Sequence, residues 1–148
     1  MVTEKLNNQK IYSRLEKIFN YSSSNFEINE IISRGFVCSN LKKAKALFID
    51  YVQAAIENEK SIVIDADGLY HLASLHMDNH ELIAELREYS TNHRVCLTPH
   101  SGEAARLLDQ KISKIESNRL QAIKQCAAIY GGNWVLKGAG SLVLEQEE

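Results

Sequence analysis

Three short segments of this 148-residue sequence hold the side chains from which a site could be built. The first is Lys137-Gly138-Ala139-Gly140-Ser141. Two glycines one residue apart let the backbone bring N–H groups close to a phosphate, and a lysine and a hydroxyl beside them add charge and another donor. It is not a Walker A loop, whose lysine follows the glycines and opens a helix. Taken alone, a glycine-rich hairpin is more often only a turn. The second segment carries Asp65 and Asp67. Carboxylates two apart at a strand end can hold a magnesium ion, usually through water, or accept from a sugar hydroxyl. Equally, Asp67 can cap the following helix while Asp65 bonds a neighbouring loop. The third holds His100 and Glu103, three apart across a turn into a helix. A helix N-terminus favours anions, and His100 could bond a substrate or carry a proton. A structural histidine beside the rigid Pro99, and a glutamate drawn by the helix dipole, account for the same pair. His71, His76, His80 and His93 form no ligand pattern with cysteine, so no zinc site is expected.

The elements that must position these segments are read from periodicity. Residues 3–19 read as a helix with Ile11, Leu15, Ile18 and Phe19 on one stripe, and residues 31–37 as a strand. A stronger helix spans 42–57, where Ala44, Leu47, Tyr51, Ala54 and Ala55 share a face. The β-branched run at 61–64 predicts a buried strand, 80–89 a helix, and 94–97 the next strand. A helix then starts around 104–108, with Ser101 as its N-cap. The longest helix is expected over 113–130, opened by a capping box of Ser113 and Glu116 and closed at Gly131-Gly132. Strands at 133–136 and 142–144 flank the glycine turn. Apolar strands alternating with amphipathic helices predict an α/β fold with a mostly parallel, helix-flanked sheet. Ligands in such sheets sit at the carboxyl ends of the strands, where all three segments fall.

Composition narrows the function classes. A net charge of -2 gives no electrostatic reason to expect nucleic acid or an anionic membrane as partner. Cys38, Cys96 and Cys126 have no CxxC spacing and read as small buried hydrophobes in a reducing compartment. The first residues show no apolar signal core and no run suited to a bilayer, so a soluble, cytoplasmic location is expected.

In order, IVIDADGL, CLTPHSGEAARLL, IESNRLQAIKQCAAIYGG and WVLKGAGSLV resemble the ADP-dependent NAD(P)H-hydrate dehydratases, known as the YjeF C-terminal family. The likeness runs from about residue 61 to residue 144. It implies a ribokinase-like fold with helices on both faces of the sheet, here a single partial domain over 1–148. It implies repair of NADHX or NADPHX by removal of water, with ADP or ATP and Mg2+. It also implies that His100, Asp65 and Asp67 meet the substrate, that Lys137, Gly138, Ala139, Gly140 and Ser141 bind nucleotide, and that Glu103 organises the metal. The departures are specific. The family's GPGLG segment corresponds to Cys38, Ser39, Asn40, Leu41 and Lys42, Tyr70 stands where the family has asparagine, and the family's N-terminal strand has no counterpart in 1–36. The family's catalytic aspartate, in a GxGD loop, would lie beyond Glu148, so no catalytic residue is assigned and the chain is expected to be inactive alone. The alternatives are a non-enzymatic remnant with residual nucleotide binding and a small-molecule kinase of the ribokinase superfamily. Apolar surface near Val135 and Val143, and with it self-association, are further expectations.

Overall fold

The computed structural model describes residues 41–146. The helix expected over 3–19, the strand over 31–37 and Cys38 lie outside them. Six helices and four strands follow in chain order: α1 (Leu41–Glu57), β1 (Ile62–Ile64), α2 (Asp67–Met77), α3 (Leu82–Tyr89), β2 (Val95–Leu97), α4 (Ser101–Leu107), α5 (Ile112–Ser117), α6 (Arg119–Tyr130), β3 (Asn133–Leu136) and β4 (Leu142–Leu144). The sheet runs β1-β2-β3-β4, parallel from β1 to β3, with β4 antiparallel. Helical crossovers are what parallel neighbours require, and the short glycine turn is what an antiparallel neighbour permits.

The core lies on one face of the sheet. Ile62 and Ile64, Val95 and Leu97, and Trp134 and Leu136 point into it, as the period of two in a strand dictates. The predicted stripe of α1 is buried as a unit, with Phe48 and Val52 added to it. Trp134 is fully buried, and its indole N–H donates to the Gly131 carbonyl at 2.8 Å. Tyr130 packs beside it and donates to the Leu107 carbonyl at 2.8 Å. Burial, with Cys126 adding to it, pushes the Tyr130 phenol well above the usual range, and burial pushes the Cys126 thiol up to about 12. Both groups are neutral at physiological pH.

The strand residues between these face the other way. Val63 is 39% and Val143 66% exposed, and a groove of about 790 Å³ crosses this face over Cys96 and Val135. The expected apolar surface is therefore present at Val143 and Val63, while Val135 is half-buried. Among the described residues the helices pack on the core face, where the resemblance implies helices on both. The run at 61–64 thus alternates in burial instead of being buried throughout. Cys126 is buried as expected, whereas Cys96, on the open face, is only partly so.

Two helix boundaries differ from expectation. The stretch 113–130 is two helices, broken at Asn118, whose φ of -155° and ψ of 76° are not helical. Asn118 caps α6 by accepting from the Gln121 N–H at 3.1 Å, the use for which a short polar side chain is suited. The capping box of Ser113 and Glu116 does not form: Lys111 precedes α5 as its N-cap, and the Glu116 carboxylate accepts from the Ser101 hydroxyl instead. Ser101 is accordingly not the N-cap of α4. His100 is. The C-terminal end of α6 follows expectation, with Gly131 at φ 71° and Gly132 at φ 76°, a region glycine enters freely.

Candidate functional site at the carboxyl rim of the sheet

Strand β1 ends at Ile64 and delivers Asp65 to the rim. The next residue, Ala66, has φ 48°, a conformation that costs a non-glycine residue about 1–3 kcal/mol. It separates the two carboxylates. Asp65 turns to the Lys137 ammonium, Nζ to Oδ1 2.8 Å, while Asp67 opens α2 and lines a pocket with His100. Burial raises the Asp65 pKa, but hydrogen bonds from Lys137, the Ala66 N–H and the Thr98 hydroxyl outweigh it and hold the carboxyl below its ordinary 3.8. Asp67 makes no side-chain cap at the start of α2; it lies in the first turn, where the helix dipole favours a carboxylate.

Strand β2 ends at Leu97 and delivers His100. Its Nδ1 accepts from the N–H groups of Gly102 at 3.0 Å and Glu103 at 3.3 Å, and Glu103 Oε2 accepts from the His100 N–H at 2.8 Å. This reciprocal arrangement is a capping box with histidine in the place of serine or threonine. It has a chemical consequence. With Nδ1 committed as an acceptor, the neutral ring carries its proton on Nε2, which is 3.4 Å from Glu103 Oε1. The imidazole is 59% exposed and lines a pocket, with Nε2 beside the Glu103 carboxylate. That pocket encloses about 360 Å³ and is lined by Asp67, Tyr70, His100, Glu103, Arg106 and Ile112, among others. Arg106 lies over the Tyr70 ring with its Cζ 4.9 Å from the centroid, so the two form one wall.

Strand β3 delivers the lysine and the glycine turn. The Lys137 N–H donates to the Pro99 carbonyl at 2.8 Å, and Lys137 pairs with His100 as an isolated parallel bridge. The β2 and β3 exits are therefore joined by backbone. Beyond them, residues 138–141 are exposed, and a side chain at Gly140 would meet nothing within 4 Å. Among the described residues none of their N–H groups takes part in a turn or loop hydrogen bond. Their carbonyls differ: Arg119, at the start of α6, donates to Gly140 at 2.7 Å, Leu136 at 3.1 Å and Lys137 at 3.3 Å.

The three segments singled out by residue type thus meet at one rim, through the His100–Lys137 bridge and the Lys137–Asp65 pair. Asp67, His100 and Glu103 line the pocket of about 360 Å³, and residues 137–141 are not part of its lining. Glu103, implied at a metal, has both oxygens directed at His100, and among the described residues no three His, Cys, Asp or Glu side chains gather as a metal cage. These residues do not fit a magnesium ion held by the protein alone. The site roles of Arg106 and Arg119 are not visible in the sequence. Arg119 sits inside the IESNRLQ segment with nothing to signal that it reaches a loop 18 residues on.

A family model described as NAD(P)H-hydrate dehydratase matches residues 30–148. The bifunctional NAD(P)H-hydrate repair enzyme of Leishmania major is 41% identical over 92 residues, which is 61% of this chain and 16% of that protein. That of Escherichia coli K12 is 40% identical over 89 residues, 60% of this chain and 15% of the enzyme. The ADP-dependent (S)-NAD(P)H-hydrate dehydratase of Neisseria meningitidis is 36% identical over 86 residues, 57% of this chain and 26% of the enzyme. The chain thus spans well under a third of the length of these relatives. No helix among the described residues is long and apolar enough to cross a membrane. Matched from residue 30 onward, with an α/β fold of ribokinase-like class, this chain belongs to the NAD(P)H-hydrate dehydratase family.

Proposed function

We propose that the rim binds ADP or ATP at residues 137–141 and a hydrated nicotinamide dinucleotide, NADHX or NADPHX, in the pocket of His100. The observation that carries this reading is the junction of Lys137 with both His100 and Asp65, which sets a donor loop and a histidine pocket side by side. The nucleotide supplies a phosphoryl group, which turns a hydroxyl from a poor leaving group into a good one. The chain's own residues bind and orient. The N–H groups of 138–141, which among the described residues take no backbone acceptor in a turn or loop, take phosphate oxygens as an anion nest does, with Lys137 at the base of the loop. His100 Nε2–H donates to the substrate, its tautomer fixed by the Gly102 and Glu103 N–H groups. The Tyr70–Arg106 wall closes the pocket on one side.

The resemblance places proton abstraction on an aspartate of a GxGD loop, so the roles given to the rim residues are binding and orientation.

Calorimetric titration with ADP, and with NADHX in its presence, tests both parts. ADP binding that weakens at least tenfold in Lys137→Met, with NADHX binding that weakens in His100→Ala, is the expected result. Absence of ADP binding in the wild-type chain would remove the nucleotide reading.

A further inference from the structure

We infer that Arg119 is a positioning residue that sets which way the peptide groups of the glycine loop face, and so creates the anion-binding side of the loop. The inference rests on the reading of residues 138–141 as a phosphate-binding loop. Its geometry comes from three carbonyls. Arg119 donates to those of Leu136, Lys137 and Gly140. No peptide bond among the described residues is cis, and in a planar trans peptide the N–H points opposite to the C=O. Each carbonyl that Arg119 holds therefore turns the next residue's N–H away from α6.

One of the three serves as an internal check. Leu136 O faces Arg119, and the Lys137 N–H on the far side of that peptide is found on Pro99 O at 2.8 Å, toward the His100 turn. By the same rule the N–H groups of Gly138 and Ser141 face away from the guanidinium. Neither takes a protein acceptor in a turn or loop bond among the described residues. A cation bonded to the carbonyl also polarises the peptide and strengthens its N–H as a donor. The guanidinium thus takes the Lys137 and Gly140 carbonyls of the loop and, among the described residues, leaves the N–H groups of Gly138 and Ser141 without a backbone acceptor, which is what binding an anion requires.

Two details show that the space around the loop is shaped for this side chain. Arg119 Nε is buried with no partner among the described residues, so the head group is placed for the carbonyls at the expense of its own third donor site. A Cβ at Gly138 would lie 2.6 Å from Arg119 Nη2. With the guanidinium in its present place only glycine fits there, because the guanidinium occupies the position a side chain would take. Any larger residue at 138 displaces the arginine.

The test uses the full 148-residue chain with Arg119→Met, Arg119→Lys, Gly138→Ala and the double variant Arg119→Met/Gly138→Ala. Backbone order parameters of residues 137–141 are measured by 15N relaxation, and ADP affinity by calorimetry. Arg119→Met is expected to lower the order parameters of the loop and weaken ADP binding at least tenfold, while amides of β1 and β2 keep theirs. Arg119→Lys, with a point charge instead of a planar fork, is expected in between. Gly138→Ala is expected to reproduce the loss, and to add less than twofold when Arg119 is already gone. Order parameters and ADP affinity unchanged within twofold in Arg119→Met overturn the inference, as does a Gly138→Ala effect that is equal in both backgrounds. Should Arg119→Met unfold the chain, Gly138→Ala alone decides, since it keeps the arginine and only dislodges it. A wild-type chain that binds neither ADP nor inorganic phosphate removes the phosphate-binding reading. The order parameters then decide the remaining claim: lowered ones keep Arg119 as the residue that shapes the loop, unchanged ones reject it.

Discussion

Trp134 and Lys137 are three residues apart where β3 runs out, and they answer different physical demands. Trp134 is fully buried against Tyr130, and its single polar atom is satisfied by a carbonyl three residues away. Lys137 keeps 42% of its side chain exposed and meets a carboxylate 72 positions earlier in the sequence. Around Trp134 the free energy comes from apolar area removed from water and from close packing, which together reach several kcal/mol for one large side chain. Around Lys137 it comes from a solvated ion pair and hydrogen bonds of about 1 kcal/mol each, most of which only replace bonds to water. The helix-covered face therefore fixes the fold, and the rim fixes orientation. Changes in the first should cost stability whatever is bound; changes in the second should cost binding and little else.

The largest test of that division is Trp134→Ala. It removes the largest fully buried side chain and leaves a cavity between β3 and α6, so a loss of about 3–5 kcal/mol is expected. Because Trp134 is the one tryptophan, urea unfolding should be followed by circular dichroism instead of fluorescence. A loss below about 1 kcal/mol, against that range for buried aromatics, would mean that the core does not depend on this face. Next comes Tyr130→Phe, which keeps the ring but leaves the Leu107 carbonyl without its 2.8 Å donor. A buried acceptor left unpaired costs about 1–3 kcal/mol. ADP affinity is expected to stay within twofold, since Tyr130 is buried in the core against Trp134, His76 and Leu107.

The two regions were also unequally legible. The core could be read because its signal is repeated: five residues of α1, alternating strands and a glycine pair after α6 all point one way. What failed were single local rules overruled by distant partners. Ser113 and Glu116 have the spacing of a capping box, yet Glu116 is taken by Ser101, fifteen residues earlier. Asn118 does carry a signal, as a residue suited to an N-cap in the middle of a periodic run, and it splits the helix. His100 as an N-cap follows no preference for that position; only the geometry of its Nδ1 reveals it. The rim residues were legible by type, because lysine with paired glycines, paired aspartates and His-x-x-Glu are unusual at strand ends. Their partners were not. That Asp65 faces Lys137, that Arg106 covers Tyr70 and that Arg119 holds three loop carbonyls are consequences of the tertiary fold, with no periodicity to betray them.

A smaller effect separates the regions by pH. His71 is 3% exposed between Phe48 and Tyr70, and burial, with Lys45 adding to it and Asp67 opposing it, holds its pKa below the ordinary 6.5. The unfolded chain therefore takes up the proton first as pH falls. The contribution of His71 is complete above 6.5 and is lost as pH falls from there toward the folded value. Stability of the wild-type chain should decline over that interval, and His71→Leu should flatten the decline when urea midpoints are compared at several pH values. An equal slope in both proteins would show that the core histidine is not the group responsible.

The smallest change in stability is expected for Asp65→Asn. The folded pKa of Asp65 lies below 3.8, so its ionised form stabilises the fold above that value and the contribution disappears as pH falls through the folded pKa. Near neutral pH the pair with Lys137 is a partly exposed one, with 34% of the aspartate side chain accessible, and such pairs contribute about 0.2–1 kcal/mol that salt further screens. Asp65→Asn should therefore shift neutral-pH stability by no more than about 1 kcal/mol, lose part of the acid dependence below pH 3.8, and respond less to added salt than the wild type. The asparagine keeps one acceptor oxygen for the Lys137, Thr98 and Ala66 donors, so the charge and one accepting position are removed together. A loss as large as that of Trp134→Ala would place Asp65 among the residues that hold the fold. The rim would then be a continuation of the core, and the separation drawn between residues 134 and 137 would have no physical basis.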